Sequence, residues 1–234
     1  MYSTSKYCRL CLSKNIEVNL KLKPIPLGEK YSLNKKDKTF SKKFPLTIGR
    51  CLDCKNVQAM EVINPNILWQ NYTYISGQTK AILEHFKKFS NYTINRFNLK
   101  KTDLVLDIGS NDGSLLNFFK KKKIKVLGVD PARNLTKIAN NNGINTLTGL
   151  FDKKIISKIK KKYQKPKIIT AFNVFAHTAK LREMLHSILD ILDDNGVFIF
   201  EVQYLGDIYQ KKILGTLFHE HMYHHSIILS LIHI

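Results

Sequence analysis

Acidic residues are scarce in this chain of 234 residues: 18 stand against 38 lysines and arginines, a formal net charge of +20. Such an imbalance would by itself suggest nucleic acid or an anionic membrane. The basic side is lopsided in turn, with five arginines and the remainder lysine. Arginine is the better reader of phosphates and bases, so its scarcity, with no aromatic–basic RNA motif, argues against a nucleic-acid partner. Lys, Asn and Ile are together what AT-rich codons supply, and drift accounts for much of the excess. The runs 120–123 and 158–162 fall at expected helix ends, where cations complement the dipole and water solvates them. A run of about 18 apolar residues is also missing, so no membrane-spanning helix is expected. No apolar stretch follows Met1, so no secretory signal is expected either, and the cytoplasm is the expected location.

Cysteine is limited to four residues, and all four fall in two C-x-x-C pairs, Cys8/Cys11 and Cys51/Cys54. In a reducing compartment two such knuckles predict a tetrahedral, structural zinc site with no open catalytic position. Disulfides or a redox pair are the rival readings, and the absence of a secretory signal weakens both. The long gap between the knuckles allows a loop at Lys23-Pro-Ile-Pro-Leu-Gly28.

What is present in strength is an apolar strand, Leu104 to Ile108, running into Gly109-Ser-Asn-Asp-Gly113 and a helix-period pattern at Leu115, Leu116 and Phe119. Strand, glycine-punctuated turn and helix form the layout of a nucleotide-type ligand site at the carboxyl end of a parallel strand. The spacing is not the G-x-G-x-x-G of a dinucleotide fold. It places an acid, Asp107, before the first glycine, and the next strand ends in a second acid, Asp130. Two acids suit a cationic ligand with ribose hydroxyls better than a pyrophosphate. Further periodicities predict helices at about 78–97, 114–122, 133–141, 152–162 and 181–192, alternating with strands at 124–129, 145–147, 167–172 and 197–202. That alternation predicts an α/β, doubly wound, mostly parallel sheet. The chain divides into a zinc-binding domain (1–60), an aromatic connector (61–77), an α/β domain (78–205) and the start of a further domain (206–234).

The connector gathers Trp69, Tyr72 and Tyr74, which either pack one domain on another or lid the ligand cleft and offer a phenol to a substrate. Near the end, Phe218-His219-Glu220-His221 is followed by Tyr223, His224 and His225. The cluster is not H-E-x-x-H, so a zincin site is excluded. A second zinc site from His219 and His221, a general base polarised by a carboxylate, and a polar surface loop all remain open from residues alone.

Taken in order, the cysteine knuckles, Tyr72-x-Tyr74-x-Ser-Gly77, Asp107-Ile-Gly-Ser-Asn-Asp-Gly-Ser-Leu-Leu116, Gly128-Val-Asp-Pro-Ala-Arg-Asn134, Asn173-Val-Phe-Ala-His177 and the His-Glu-His segment resemble the S-adenosylmethionine (SAM)-dependent sugar C-methyltransferases. Those enzymes act on nucleotide-linked 4-keto deoxysugars. The resemblance implies a Rossmann-like class I methyltransferase domain behind a small zinc-binding domain, with SAM and structural Zn²⁺ as cofactors and a small-molecule sugar substrate. It implies Cys8, Cys11, Cys51 and Cys54 as metal ligands. It places Asp107, Gly109, Asn111, Gly113, Asp130 and Asn173 around SAM. It makes His221 the base, beside Glu220, with Tyr72 or Tyr74 assisting. Phe218 stands where the family usually has Tyr, which removes a hydroxyl from the site. Ser226 to Ile234 is expected to begin an apolar helix of a truncated C-terminal region. The rival readings are an O- or N-methyltransferase on another metabolite, an RNA-binding methyltransferase, and an inactive SAM-binding remnant.

Overall fold

A computed structural model describes residues 1–28, 42–69 and 72–227. The expected apolar tail helix lies, from residue 228 onward, outside the described residues. The chain divides into two compact units: Met1–Leu68 with Asn173–Arg182 and Glu201–Ile234, and Trp69–Phe172 with Glu183–Phe200.

The second unit is the doubly wound sheet. Its strands are β6 (Leu104–Ile108), β7 (Lys125–Asp130), β8 (Thr146–Thr148), β9 (Ile168–Phe172) and β10 (Val197–Glu201). They lie in the order β10-β9-β6-β7-β8, with β6–β7, β6–β9 and β7–β8 parallel. The order runs outward from β6 in both directions, so the topological switch point lies between β6 and β9. All five residues of β6 are buried, as a strand covered on both faces requires.

After the short helix α1 (Pro65–Trp69), helices α2 (Lys80–Arg96), α3 (Ser114–Lys121), α4 (Arg133–Asn141), α5 (Lys153–Lys162) and α6 (Leu181–Ile191) flank the sheet. Their ends fall within two residues of the periodicity expected above. Phe86, Leu115, Leu116, Phe119, Val105 and Ile168 form one apolar cluster, each side chain contributing roughly 1.5–3 kcal/mol by leaving water. Helix α5 is capped by Asp152, whose carboxylate accepts from the Lys154 and Ile155 amides at 3.0 Å, and its lysines crowd the last turn.

The first unit is built differently. Strands β2 (Ile16–Pro26), β3 (Lys43–Cys51), β4 (Val57–Ala59) and β11 (Tyr223–His224) form a sheet in the order β11-β4-β3-β2, while β1 (Tyr2–Thr4) pairs with β5 (Glu61–Ile63). The loop expected at 23–28 is corrected: β2 runs through Pro24 to Pro26. It can do so because β2 is an edge strand, where a residue without an N–H costs no ladder bond. The register against β3 slips between Leu22 and Ile25. Residues 206–227 supply β11, with Tyr223 opposite Gln58 and His224 opposite Val57. No helix among the described residues is long and apolar enough to cross a membrane.

Candidate functional site

In the second unit the glycine-rich turn leaves β6 with Gly109 at φ 71° and Gly113 at φ 80°, and Asn111 between them at φ 52°. A Cβ on Gly113 would also press on Ile144 at 3.0 Å, so this position needs glycine twice over. Asp107 ends up fully enclosed, its Oδ1 accepting from the Thr170 hydroxyl at 2.7 Å. Asp130 accepts from the Asn111 amide (2.9 Å, Oδ2) and the Ala132 amide (2.8 Å, Oδ1). Burial pushes the Asp107 carboxyl up to about 7 against the Thr170 hydrogen bond, and the Asp130 charge adds to the rise. Burial raises Asp130 too, against its two amide bonds. Two buried carboxyls at neighbouring strand ends call for a positive group. The Ser110 hydroxyl, also buried, has no hydrogen-bond partner among the described residues. This donor and acceptor set fits a ligand with an ammonium group and vicinal hydroxyls.

The connector is tied to this turn. Asn111 Oδ1 accepts from the Ser76 amide at 3.0 Å and its Nδ2 donates to the Tyr74 carbonyl at 3.0 Å. Asp112 Oδ2 accepts from the Gly77 amide at 3.1 Å and from the Ser114 hydroxyl at 2.8 Å. Asn134 Nδ2 donates to the Tyr72 carbonyl at 2.8 Å. A Cβ on Gly77 would collide with the Asp112 carboxylate. Tyr72 stacks edge-on against Trp69, with ring centroids 5.6 Å apart, and the Tyr74 ring is partly exposed. Both tyrosines thus have their backbones fixed beside the turn.

In the first unit the four cysteine sulfurs all lie within 4.8 Å of one another. Cys8–Cys54 and Cys11–Cys51 are each 3.6 Å apart, Sγ to Sγ. A tetrahedral Zn–S bond of about 2.3 Å predicts sulfur–sulfur edges of roughly 3.8 Å, whereas a disulfide needs about 2.05 Å. The residues fit a four-thiolate zinc site, and Asn56 Nδ2 reaches Cys8 Sγ at 3.5 Å to support it.

His221, in the same unit, is buried with its Nδ1 2.7 Å from the Thr216 carbonyl. A carbonyl only accepts, so Nδ1 carries the proton and Nε2 keeps its lone pair. The residue orienting this imidazole is therefore Thr216, where the sequence suggested Glu220; Glu220 is itself buried. Burial lowers the His221 pKa against the Thr216 bond, so the ring is neutral at physiological pH. Its ring neighbours are Phe218 at 4.1 Å and His177 at 4.9 Å. His219 turns away to the strand β3 backbone, its Nε2 3.1 Å from the Pro45 carbonyl. Among the described residues the cysteine quartet is the one cluster with ligand atoms close enough for a metal, so the second zinc reading is not supported. Asn173, at φ 53°, donates its amide to the Glu201 carbonyl at 2.8 Å.

Thr170 and Thr216 escaped the sequence reading. Thr170 sits two residues before the end of β9, beside β6 in the parallel ladder, and that ladder placement was its only available signal. Thr216 acts through its backbone and left none.

A family model described as "Methyltransferase domain" matches residues 80–227, well over half the chain, and one described as "Putative zinc binding domain" matches residues 8–69. The C-methyltransferase NovU of Streptomyces niveus is 32% identical over 184 residues, 79% of this chain and 44% of NovU. The chain thus spans less than half the length of that curated relative. A solved Haloferax volcanii complex of the Trm112 methyltransferase activator with a methyltransferase resembles the chain with a TM-score of 0.50 at 18% identity, over 64% of this chain and 67% of that one.

Proposed function

Since the chain belongs to the methyltransferase-domain family, we propose that it binds SAM and takes part in methylating carbon beside the ketone of a nucleotide-linked 4-keto deoxysugar. The enclosed Asp107–Asp130 pair at the carboxyl ends of β6 and β7 carries the cofactor reading. The similarity to a named C-methyltransferase and the His-Glu-His segment support carbon as the acceptor.

Bound SAM would supply an electrophilic methyl group on a sulfonium. Asp107 would hold the ammonium and Asp130 the ribose hydroxyls, with Gly109, Asn111 and Gly113 shaping the turn and Asn173 a further contact. His221 Nε2 takes the proton from the sugar carbon next to the 4-keto group. The neutral, Nδ1-protonated ring is already in the tautomer for that step. The proton leaves on the imidazole and the electron pair stays on an enolate, whose oxygen accepts from the Tyr72 or Tyr74 hydroxyl. The resulting nucleophilic carbon is what the transfer requires. The thiolate site takes no part in the chemistry, because four cysteines leave zinc no open position.

Calorimetric titration tests the first half: SAM binds in the micromolar range, and Asp107→Asn weakens binding at least tenfold. No binding by zinc-loaded protein overturns the cofactor reading. Substrate deuterium exchange tests the second half. His221→Asn should abolish exchange beside the ketone while SAM affinity is kept; a methyl found on oxygen or nitrogen would replace the carbon reading with the heteroatom one.

A further inference from the structure

Arg9 lies inside the first knuckle, between Cys8 and Cys11, and its side chain is nine-tenths buried. Its guanidinium opens across two chain segments far apart in sequence. Nη1 donates to the Ala59 carbonyl at 2.7 Å, and Nη2 to the Met222 carbonyl at 2.8 Å. Nε reaches the Tyr223 hydroxyl at 3.4 Å, with the guanidinium 5.0 Å from that ring's centre. The Met222 carbonyl also takes the Ala59 amide at 3.1 Å, and the Met222 amide donates to the Ala176 carbonyl at 2.9 Å. The backbone of Arg9 is fixed as well, its amide donating to Gln58 Oε1 at 3.0 Å. Met222 directly follows His221.

Burying a guanidinium is costly without a counter-charge, and every acceptor of the Arg9 side chain among the described residues is a neutral oxygen. A zinc ion with four thiolates carries a net charge of about −2. Bound there, the metal would also anchor the backbone on both sides of Arg9, at Cys8 and Cys11.

We propose that Arg9 is a positioning residue: through its fork the four-thiolate zinc centre holds the His219–His225 segment against β4 and so fixes the His221 ring. The relevance to catalysis rests on His221 being the base; the clasp itself does not. Lysine, a compact ammonium with three donors but no planar fork, reproduces this two-carbonyl geometry poorly.

The experiment compares zinc-loaded wild-type, Arg9→Leu and Arg9→Lys chains by zinc content, SAM affinity, amide hydrogen exchange of residues 219–225, and the ¹⁵N signature of the His221 ring. Arg9→Leu should exchange that segment at least tenfold faster and lose the single-tautomer signature, with SAM affinity changed less than twofold. Arg9→Lys should keep one zinc and still exchange faster than wild type. Wild-type protection and an unchanged ring signature in zinc-loaded Arg9→Lys or Arg9→Leu overturn the proposal. So does loss of zinc by both variants, which would make Arg9 a part of the metal module alone. None of these readouts needs methyl transfer. An intact clasp around a His221 that exchanges no substrate proton would defeat the function reading and leave this one standing.

Discussion

The two units of this chain differ in what they bury. The α/β unit encloses a continuous apolar cluster spanning α2, α3 and the sheet. The cysteine unit has a smaller one, Leu46, Ile48 and Ala59, and most of β2 stands exposed. Beside further buried apolar residues such as Phe44, Met60, Ile63 and Leu68, it buries thiols, a guanidinium and four histidines from His219 to His225. Apolar burial is insensitive to metal and protons, whereas thiolates and neutral imidazoles are not. The difference teaches that the α/β unit should survive conditions that dismantle the other.

Removing the metal is the strongest way to expose the contrast. Chelation, or Cys51→Ser, should unfold the cysteine unit, since structural zinc contributes on the order of 10 kcal/mol to such modules. SAM titration should still report a folded α/β unit. Simultaneous loss of both would break the comparison.

Acid comes next, because the two units carry opposite proton linkage. Burial lowers His177 to about 3, and His224 and His225 to about 4, with neighbouring histidines adding to the first two. Above the ordinary histidine value of 6.5 these rings are neutral whether folded or unfolded. As pH falls below it, the unfolded chain takes up protons first, so the cysteine unit loses up to about 1.4 kcal/mol per pH unit for each ring until about pH 4. Asp107 is raised to about 7, so the α/β unit loses stability as pH rises from about 4 to about 7. Thermal melts between pH 7 and 4.5 should separate into two transitions as the cysteine unit falls away. Calorimetry in buffers of different ionisation enthalpy should show proton release when SAM binds near pH 7; a pH-independent affinity would contradict the enclosed Asp107.

Leu116→Ala strikes the other side of the comparison. The side chain is fully buried, and its removal should cost about 2–5 kcal/mol, read as a lower melting temperature of the α/β unit with zinc content unchanged. The smallest effect belongs to Lys160→Ala, which breaks the exposed 2.7 Å pair with Asp190. It should shift stability by about 0–1 kcal/mol, and less at high salt.

The α/β unit was almost wholly legible in the sequence. Its signals are local: a period of 3.6 at Leu115, Leu116 and Phe119, an apolar five-residue strand, glycines where φ turns positive. Each can be read within a dozen residues. The cysteine unit was legible only at its metal. The knuckles announce themselves by spacing, yet the segment with Pro24 and Pro26 belongs to strand β2, because edge position is a property of the sheet and not of the strand.

The sequence by itself determined the order of strands and helices in the α/β unit, the glycine turn with its two acids, and the quartet of thiols, since backbone geometry and ligand chemistry act over short spans. The tertiary structure alone decided that Arg9 grips Met222 across 213 positions, that Thr170 meets Asp107 across 63, and that Tyr223 and His224 join β4 as a strand. Such pairings depend on which segments burial brings together. One residue type can serve many partners, and only the packed chain chooses among them.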